Sequence, residues 1–401
     1  MDNITHSLVG ITLGRAVSRK ESNHDAAKAA IWTGVIGSNF PDIDFVSHFL
    51  HRGGEITRLA YLLFHRGLTH SILGSIPLGI GAAFLGARIV KRNCSWSLVF
   101  FGVFSVLIHI FSDYWNEYGV HPFSPLMNGW FYGDTIFILE PSLWLAMLPL
   151  ALGGKLRNGL STLWWIPLIG LLSVLWFGPY TSIGIAVGMT ILFVVSFFFY
   201  KWTREPLVTL GLLSVLLLCF AFGSYRAREG VKEALHIQGA SWNAVGNNLL
   251  VSPAPGNPFC WRVMASAQIQ GYLVTAAGIW SQWPEVFNPD TCHFRGLLNP
   301  LNIFPPLQTS LLTSSKNLLW QYEFRGSLDE FKRFKKENTA FRRFLGFARF
   351  PFWKRDAERL IFGDLRFSRG SGRGFAEFEF PIRTTEGEDL PQWKGALDEV
   401  Q

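Results

Sequence analysis

Long apolar segments fill the first 224 residues of this 401-residue chain, and most charged residues of this part lie in the connections between them. Six segments approach the roughly 20 apolar residues that an α-helix needs to cross a bilayer. They lie at about residues 68–90, 95–115, 136–152, 160–178, 181–200 and 207–223. Two shorter stretches, 4–17 and 27–39, are expected to form a helical hairpin that dips into the membrane or crosses it with distortion. The sequence therefore predicts a polytopic α-helical membrane bundle of six to eight helices.

The composition changes at about residue 225 to a mixture rich in Arg, Lys, Glu, Gly and Phe. Runs of aliphatic and aromatic residues separated by Gly and Pro are typical of β-strands, and residues 327–345 are predicted to be helical. We therefore predict a water-facing α+β domain, mostly β, over residues 225–401. The membrane part is divided into a domain at 1–150, which carries the candidate site, and additional transmembrane helices at 151–224.

Lys and Arg in the short connections predict the orientation, because such loops are retained on the cytoplasmic side. The basic residues of one set of connections are Arg15, Arg19, Lys20, Lys28, Arg88, Lys91, Arg92, Lys155, Arg157, Lys201 and Arg204, whereas the alternate set has Arg52, Arg58 and Arg66. The N-terminus and the C-terminal domain are therefore predicted on the outer, periplasmic face of a bacterial inner membrane. The net charge of +7 fits this orientation and anionic headgroups, and nucleic-acid binding is not expected because the sequence has no recognition motif.

Four cysteines show no spacing typical of a zinc or redox motif. Cys260 and Cys292 both lie in the C-terminal region and could form a disulfide if that region faces an oxidising compartment. Two free thiols are the favoured interpretation.

Histidines and acids of the membrane part gather at the predicted outer face, although the orientation rests on Lys and Arg alone. In LIHIFSDYW, His109 and Asp113 are four residues apart and share one face of an apolar helix, so they could bind one cation or form an orienting pair. An ionisable pair inside a span is costly unless it faces the bundle interior, which makes it a functional candidate. The alternative is a neutral hydrogen-bonded pair that ties helices together.

The motif NFPDIDF places Asp42 and Asp44 in a turn after Pro41, which ends the preceding helix. One carboxylate could bind a metal while the other orients a histidine ligand. The alternative is a solvated turn with a helix cap.

The motif FHRGLTHS places His65 on a loop and His70 in the first turn of the next span, so both could converge on one point. Gly67 permits a sharp turn between them, and Arg66 could bind a phosphate or carboxylate beside that point. The alternative is a pair of interfacial histidines with a snorkelling arginine. His6, alone on an apolar helix, is more typical of a packing residue.

Five ordered motifs, NITHSLVGITLG, NFPDIDF, FHRGLTHS, HIFSDYWNEYGVHPFSP and WFYGDTIFILEPSLW, closely resemble the YdjM-like family of inner-membrane proteins, which are classed as metal-dependent hydrolases. The resemblance covers residues 1–150 in detail. More remotely, the order of the His, Asp and HxxxD motifs is similar to the zinc-dependent phospholipase C and P1 nuclease group. The residues to which that similarity gives metal roles are His6, Asp42, His65, His109 and Asp113, with His70 and Asp44 as further candidates. It implies one or two ions, because the sequence lacks an obvious later HxxxE helix.

These inferences together predict a membrane-bound hydrolase that uses metal-activated water, with Zn favoured by the nitrogen and oxygen ligands. The predicted metal ligands are His6, Asp42, His65, His70, His109 and Asp113, and the predicted catalytic residues are Asp42, Asp44 and Arg66. A site at headgroup level, ringed by Trp and Tyr, favours a phosphoester or another bond of a lipid-linked or amphiphilic substrate. The alternative is a non-catalytic membrane protein in which a metal or polar network braces the helices and the C-terminal domain binds a partner.

Overall fold

The computed structural model of the protein describes residues 1–46, 54–153, 165–177, 182–239, 242, 248–292, 307–368 and 374–397. Nine α-helices lie among the described residues up to position 239. They are α1 (Asn3–Val17), α2 (His24–Gly37), α3 (Gly54–Phe64), α4 (Ile72–Ile89), α5 (Trp96–Tyr114), α6 (Pro141–Leu152), α7 (Trp165–Phe177), α8 (Ile183–Thr203) and α9 (Pro206–Ile237). Two short 3-10 helices, Phe40–Val46 and Leu68–His70, precede α3 and α4.

Four helices of the described part are long and apolar enough to cross a membrane: α4, α5, α8 and α9. They correspond to the predicted spans at 68–90, 95–115, 181–200 and 207–223. The predicted span at 136–152 is shorter than expected, because α6 has 12 residues and a length of about 18 Å, against roughly 30 Å of hydrocarbon. Residues 165–177 form the 13-residue α7, and the rest of the predicted span at 160–178 lies outside the described residues. The predicted count of six to eight spanning helices is therefore not confirmed.

Glycines let the helices α1, α2, α4 and α5 approach each other closely, as is common for helix pairs in membranes. A Cβ atom added at Gly34 would lie 2.3 Å from the carbonyl oxygen of Gly10, and one added at Gly102 would lie 2.3 Å from that of Gly79. The start of α1, the end of α2, the start of α4 and the end of α5 meet at one end of this bundle, where the candidate site lies.

The C-terminal region is mostly sheet, as predicted. A five-stranded antiparallel sheet has the order β1-β2-β3-β5-β4, and a three-stranded antiparallel sheet has the order β6-β7-β8. The strands are β1 (Leu249–Ala254), β2 (Asn257–Ile269), β3 (Tyr272–Ser281), β4 (Leu307–Thr309), β5 (Leu318–Ser327), β6 (Pro351–Asp356), β7 (Arg359–Asp364) and β8 (Glu377–Pro381). The predicted helix at 327–345 is two helices, α10 (Leu328–Glu337) and α11 (Thr339–Phe344), separated at Asn338.

The C-terminal sheets pack directly on the membrane part. Helix α9 passes through the predicted boundary at residue 225 without a break, and Val231 shares a hydrophobic core with Val263 of β2. Buried ion pairs join the loop after α5 to the C-terminal domain: Arg349 lies 2.8 Å from Asp134, and Arg262 pairs with Glu117. The division into 1–150, 151–224 and 225–401 stays a prediction.

Cys260 and Cys292 form a disulfide, so the favoured interpretation of two free thiols is wrong. Cys260 lies on β2, and Cys292 follows the 3-10 turn Pro289–Thr291. The pairing depends on the return of the chain after β3 toward Cys260, which two isolated cysteines do not reveal in a sequence.

Candidate metal centre

Four side chains converge at the end of the helical bundle: Asp42, His70, His109 and Asp113. One ligand-capable atom of each lies within 4.8 Å of the corresponding atoms of the others. Asp42 lies on the 3-10 helix Phe40–Val46, His70 immediately precedes α4, and the other two occupy the last turns of α5. Three of the side chains are fully buried, while that of Asp42 is 18% exposed. This group could hold one metal ion.

The separations within the group fit a small tetrahedral ion. The Nε2 atoms of His70 and His109 are 3.1 Å apart. They lie 3.5 and 3.7 Å from Oδ1 of Asp42, and 3.3 and 3.5 Å from Oδ2 of Asp113. A tetrahedral zinc with bonds of about 2.0–2.1 Å separates its ligand atoms by about 3.3–3.4 Å. Oδ2 of Asp113, the oxygen that faces the two histidines, accepts no hydrogen bond from the described residues, and a bound cation would satisfy it.

Both histidines of the group are held by contacts through their Nδ1 atoms. His109 Nδ1 lies 2.7 Å from the backbone oxygen of Ser38, at the end of α2. Because a carbonyl oxygen only accepts, this Nδ1 carries the proton and leaves Nε2 free to bind a metal. His70 Nδ1 lies 3.0 Å from Thr69 Oγ1 and 3.4 Å from Asp44 Oδ2, which gives His70 the same orientation.

Asp44 lies behind the group of four and contacts four residues of the FHRGLTHS motif, including His70. Its carboxylate accepts hydrogen bonds from the Arg66 N–H at 2.8 Å and the Thr69 hydroxyl at 3.2 Å. It also lies 2.9 Å from His65 Nδ1. Burial by itself raises the pKa of Asp44, but hydrogen bonds from His65 and His70 hold that pKa well below its ordinary value. The geometry gives Asp44 the orienting role that the sequence left open between the two acids.

The predicted ligand His65 does not belong to the group of four, because its Nδ1 faces Asp44. Burial lowers the pKa of His65, while the hydrogen bond with Asp44 acts in the opposite direction. His65 is partly exposed, with 15% of its side chain accessible. A metal role for His65 stays a prediction.

His6, also predicted as a ligand, lies on the opposite side of Asp113. Its ring stacks on His109 with 3.8 Å between centroids, and its Nε2 lies 3.3 Å from Asp113 Oδ1. The same oxygen contacts the α-amino group of Met1. His6 therefore touches the carboxylate from behind and is outside the group of four.

Arg66 is buried, with a relative exposure of 2%, and its backbone is left-handed with φ 62°. Its guanidinium lies 3.1 Å from Asp113 Oδ1 and donates to Asn116 Oδ1 and the Gly119 oxygen at 3.2 and 3.1 Å. It also lies 4.6 Å from the centre of the Tyr118 ring. The guanidinium thus faces the back of Asp113 and not the partly exposed side of the site.

Sequence reasoning assigned no site role to the loop after α5, which supplies Asn116, Tyr118 and His121. His121 Nδ1 lies 3.1 Å from the backbone oxygen of Arg66. The loop is part of the quoted motif HIFSDYWNEYGVHPFSP, so the signal was present; the Asn116 side chain, the Tyr118 ring and His121 Nδ1 all contact Arg66. Two further histidines of the membrane part, His48 and His51, lie outside the described part of the chain.

Comparison with known proteins supports a membrane family. The family model described as YdjM inner membrane protein matches residues 1–228. The uncharacterized protein YfhP of Bacillus subtilis (strain 168) is 26% identical over 151 residues, which are 37% of this chain and 44% of that protein. The chain therefore spans less than half the length of this curated relative. No solved structure gives a significant match.

Proposed function

This chain belongs to the YdjM family of inner-membrane proteins, and we propose that it is a metal-dependent hydrolase of that membrane. The observation that carries the proposal is the group Asp42, His70, His109 and Asp113, with ligand atoms spaced for one tetrahedral ion. A zinc ion held there would lower the pKa of a bound water and polarise the scissile bond. The chain supplies two oriented imidazoles and two carboxylates in a buried pocket, which suits zinc.

A single ion is favoured over two. The second oxygen of Asp113, Oδ1, already faces the Arg66 guanidinium at 3.1 Å. Another cation beside that oxygen would be repelled by the guanidinium at close range, where few water molecules screen the charges. We therefore propose that Arg66 positions Asp113, in place of the predicted contact between Arg66 and substrate charge.

Of the four side chains, that of Asp42 is the one that can reach a substrate. Its side chain is partly exposed, whereas the other three are buried. A catalytic zinc site keeps one position open for water, and Asp42 is placed to leave that position or to take a proton from the water. Asp42 is thus the proposed base or exchangeable ligand.

The surface beside the site favours an amphiphilic substrate. The N–H of Ile72, the first residue of α4, donates to the Pro122 oxygen at 2.9 Å, so the following loop lies at the end of a membrane span. In that loop Leu126 is 80% exposed and Met127 is also exposed, as is Leu68 in the turn that carries the ligand His70. These apolar side chains continue the lipid-facing surface to the edge of the site. We propose a lipid-linked phosphoester as the target, because a divalent ion can polarise a phosphoryl oxygen directly.

We further propose that the site and the C-terminal domain face the outer side of the membrane. Two independent features support this orientation: the bias of Lys and Arg toward the opposite connections, and the disulfide between Cys260 and Cys292. Disulfides persist in oxidising compartments and are rare in the bacterial cytosol.

A second candidate function is a metal or polar network that only braces the helices. The full burial of His109 and Asp113, at the meeting point of α1, α2 and α5, favours it. Elemental analysis, thermal unfolding and hydrolysis of a phosphodiester in lipid micelles separate the two. For a hydrolase, wild-type protein should hold about one zinc, and Asp42→Asn should lose turnover while it stays folded. Wild-type protein without stoichiometric metal would refute the hydrolase, and loss of fold without any wild-type turnover would favour the brace.

A further inference from the structure

The end of the described chain returns from the C-terminal sheets to the membrane part. Residues 390–397, which we call the C-terminal strap, run beside the loop after α5 and the end of α3. The Lys394 N–H donates to the Asn128 oxygen at 2.8 Å, and the Trp393 indole N–H donates to the Leu63 oxygen at 2.7 Å. The strap therefore ties two segments that flank the candidate metal centre.

Trp393 holds His121 by stacking. The two ring centroids are 3.8 Å apart with an interplanar angle of 29°, and Trp130 lies on the imidazole at 3.9 Å. Within the described residues, this imidazole makes one hydrogen-bonding contact, between its Nδ1 and the Arg66 oxygen. Because that oxygen can only accept, Nδ1 of the neutral ring is the donor. Trp393 thus fixes the group that holds the Arg66 backbone.

Arg66 is the residue through which this support reaches the metal centre. Its left-handed backbone is uncommon for a residue with a side chain and persists only where its surroundings hold it. Its N–H is bonded to Asp44, its carbonyl to His121, and its guanidinium lies against Asp113. One residue therefore links the orienting acid and a proposed metal ligand, and its conformation depends on the strap.

Trp393 also lies beside the turn. A Cβ atom added at Gly67 would lie 3.6 Å from Trp393 Cζ2, so the indole is close to the turn at residues 65–67. Its hydrogen bond to the Leu63 oxygen ties it to the residues that precede this turn.

We propose that Trp393 and His121 are positioning residues for the metal centre. The C-terminal domain, which lies beyond the family match at 1–228, completes the site by fixing Arg66 and, through it, Asp44 and Asp113. The inference rests on the proposed function where it concerns metal. The restraint of the Arg66 turn by Trp393 and His121 does not depend on metal.

The test compares Trp393→Ala with Trp283→Ala in the full-length protein. Trp283 is a matched control because, like Trp393, it stacks on a ring. Its partner is Phe259 of the C-terminal domain, far in sequence from the metal centre, and its side chain is 53% exposed. Two measurements are made: zinc affinity by competition with a chelating dye, and amide hydrogen exchange of the segment 61–70. We expect Trp393→Ala to weaken zinc binding by about tenfold or more, in the range for residues that orient metal ligands. We also expect it to speed exchange of the turn severalfold, while the control does neither.

Two conservative variants guard against a fold defect. Trp393→Phe keeps a ring over His121 and should fall between wild type and Trp393→Ala. His121→Gln keeps a donor near the Arg66 oxygen and should retain more protection of the turn than His121→Ala. Wild-type exchange at 61–70 in both Trp393 variants overturns the proposal. Wild-type protein that binds no zinc overturns the proposed function alone, and faster exchange in Trp393→Ala still supports the positioning of the turn.

Discussion

The contact between α1 and α2 has no room for a methyl group, so Gly34→Ala should destabilise the protein. The added Cβ would lie 2.3 Å from the Gly10 oxygen and 3.3 Å from Phe101 Cζ. Ordinary contact begins at about 3.4 Å, so the two helix backbones must separate by roughly 1 Å. Overpacking of this kind typically costs about 1–3 kcal/mol. We expect the free energy of unfolding to fall by that amount.

The same displacement should weaken metal binding at the end of the bundle. Helix α2 ends one residue before Ser38, whose oxygen lies 2.7 Å from His109 Nδ1. A shift approaching 1 Å would lengthen this contact beyond hydrogen-bonding distance. The orientation of the His109 imidazole would then be lost, and zinc affinity should fall with it.

Thermal unfolding in detergent measures the loss of stability, and zinc competition measures the loss of metal affinity. The matched control is Gly188→Ala. Gly188 lies in α8, and an added Cβ there has no atom within 4 Å among the described residues. Alanine is the better helix former by up to about 1 kcal/mol, so the control should be neutral or slightly stabilising. If Gly34→Ala unfolds at the same temperature as Gly188→Ala, that result would refute the close approach of α1 and α2.

Three further predictions follow from other parts of the molecule. Asp44→Asn removes the carboxylate behind His70, so zinc affinity should drop about 10–100-fold, and an unchanged affinity would exclude the orienting role. Burial raises the pKa of Glu140 to about 7. The protonated carboxyl group therefore contributes to the free energy of unfolding in full below pH 4.5, and this contribution, on the order of 3 kcal/mol, is lost as the pH rises through 7. Unfolding measured at pH 5 and pH 8 should show this loss in wild type and not in Glu140→Gln; equal slopes would contradict it. A nitroxide on Leu126→Cys, with Cys94 and Cys219 replaced by Ser, should be more accessible to oxygen than to a polar nickel complex in vesicles, whereas the reverse would place the loop in water.

The sequence could identify the members of the metal group because their spacing carries geometric information. His109 and Asp113 are four apart on one helix, and they share a face as the helical period requires. Asp42 and His70 were also predicted as ligands, since Asp42 directly follows Pro41 and His70 lies three residues after Gly67, in turns that these residues favour. The sequence could not show which residues of those turns bind metal and which orient a ligand. The backbone of Arg66 is left-handed, and His65 faces Asp44 and not the group of four.

The supporting contacts could not be predicted, because most of them end on backbone oxygens. The partner of His109 is the Ser38 carbonyl, and the partner of His121 is the Arg66 carbonyl. Every residue has a carbonyl, so no residue type marks these positions in a sequence. The length of α6 was overestimated at its start: apolar residues begin at Ile136 in the sequence, whereas the helix begins at Pro141, after its N-cap Glu140.

The C-terminal domain adds support that the membrane part does not supply from its own side chains. Within the described residues, the loop after α5 contributes Trp130 to one side of the His121 ring, while the other side is covered by Trp393. Arg366 extends this support by donating to the Glu117 oxygen of the same loop at 2.6 Å. Because the family match ends at residue 228, these contacts come from outside the matched region. A relative that lacks such a strap would need another side chain over its His121 equivalent to keep the Arg66 turn in place.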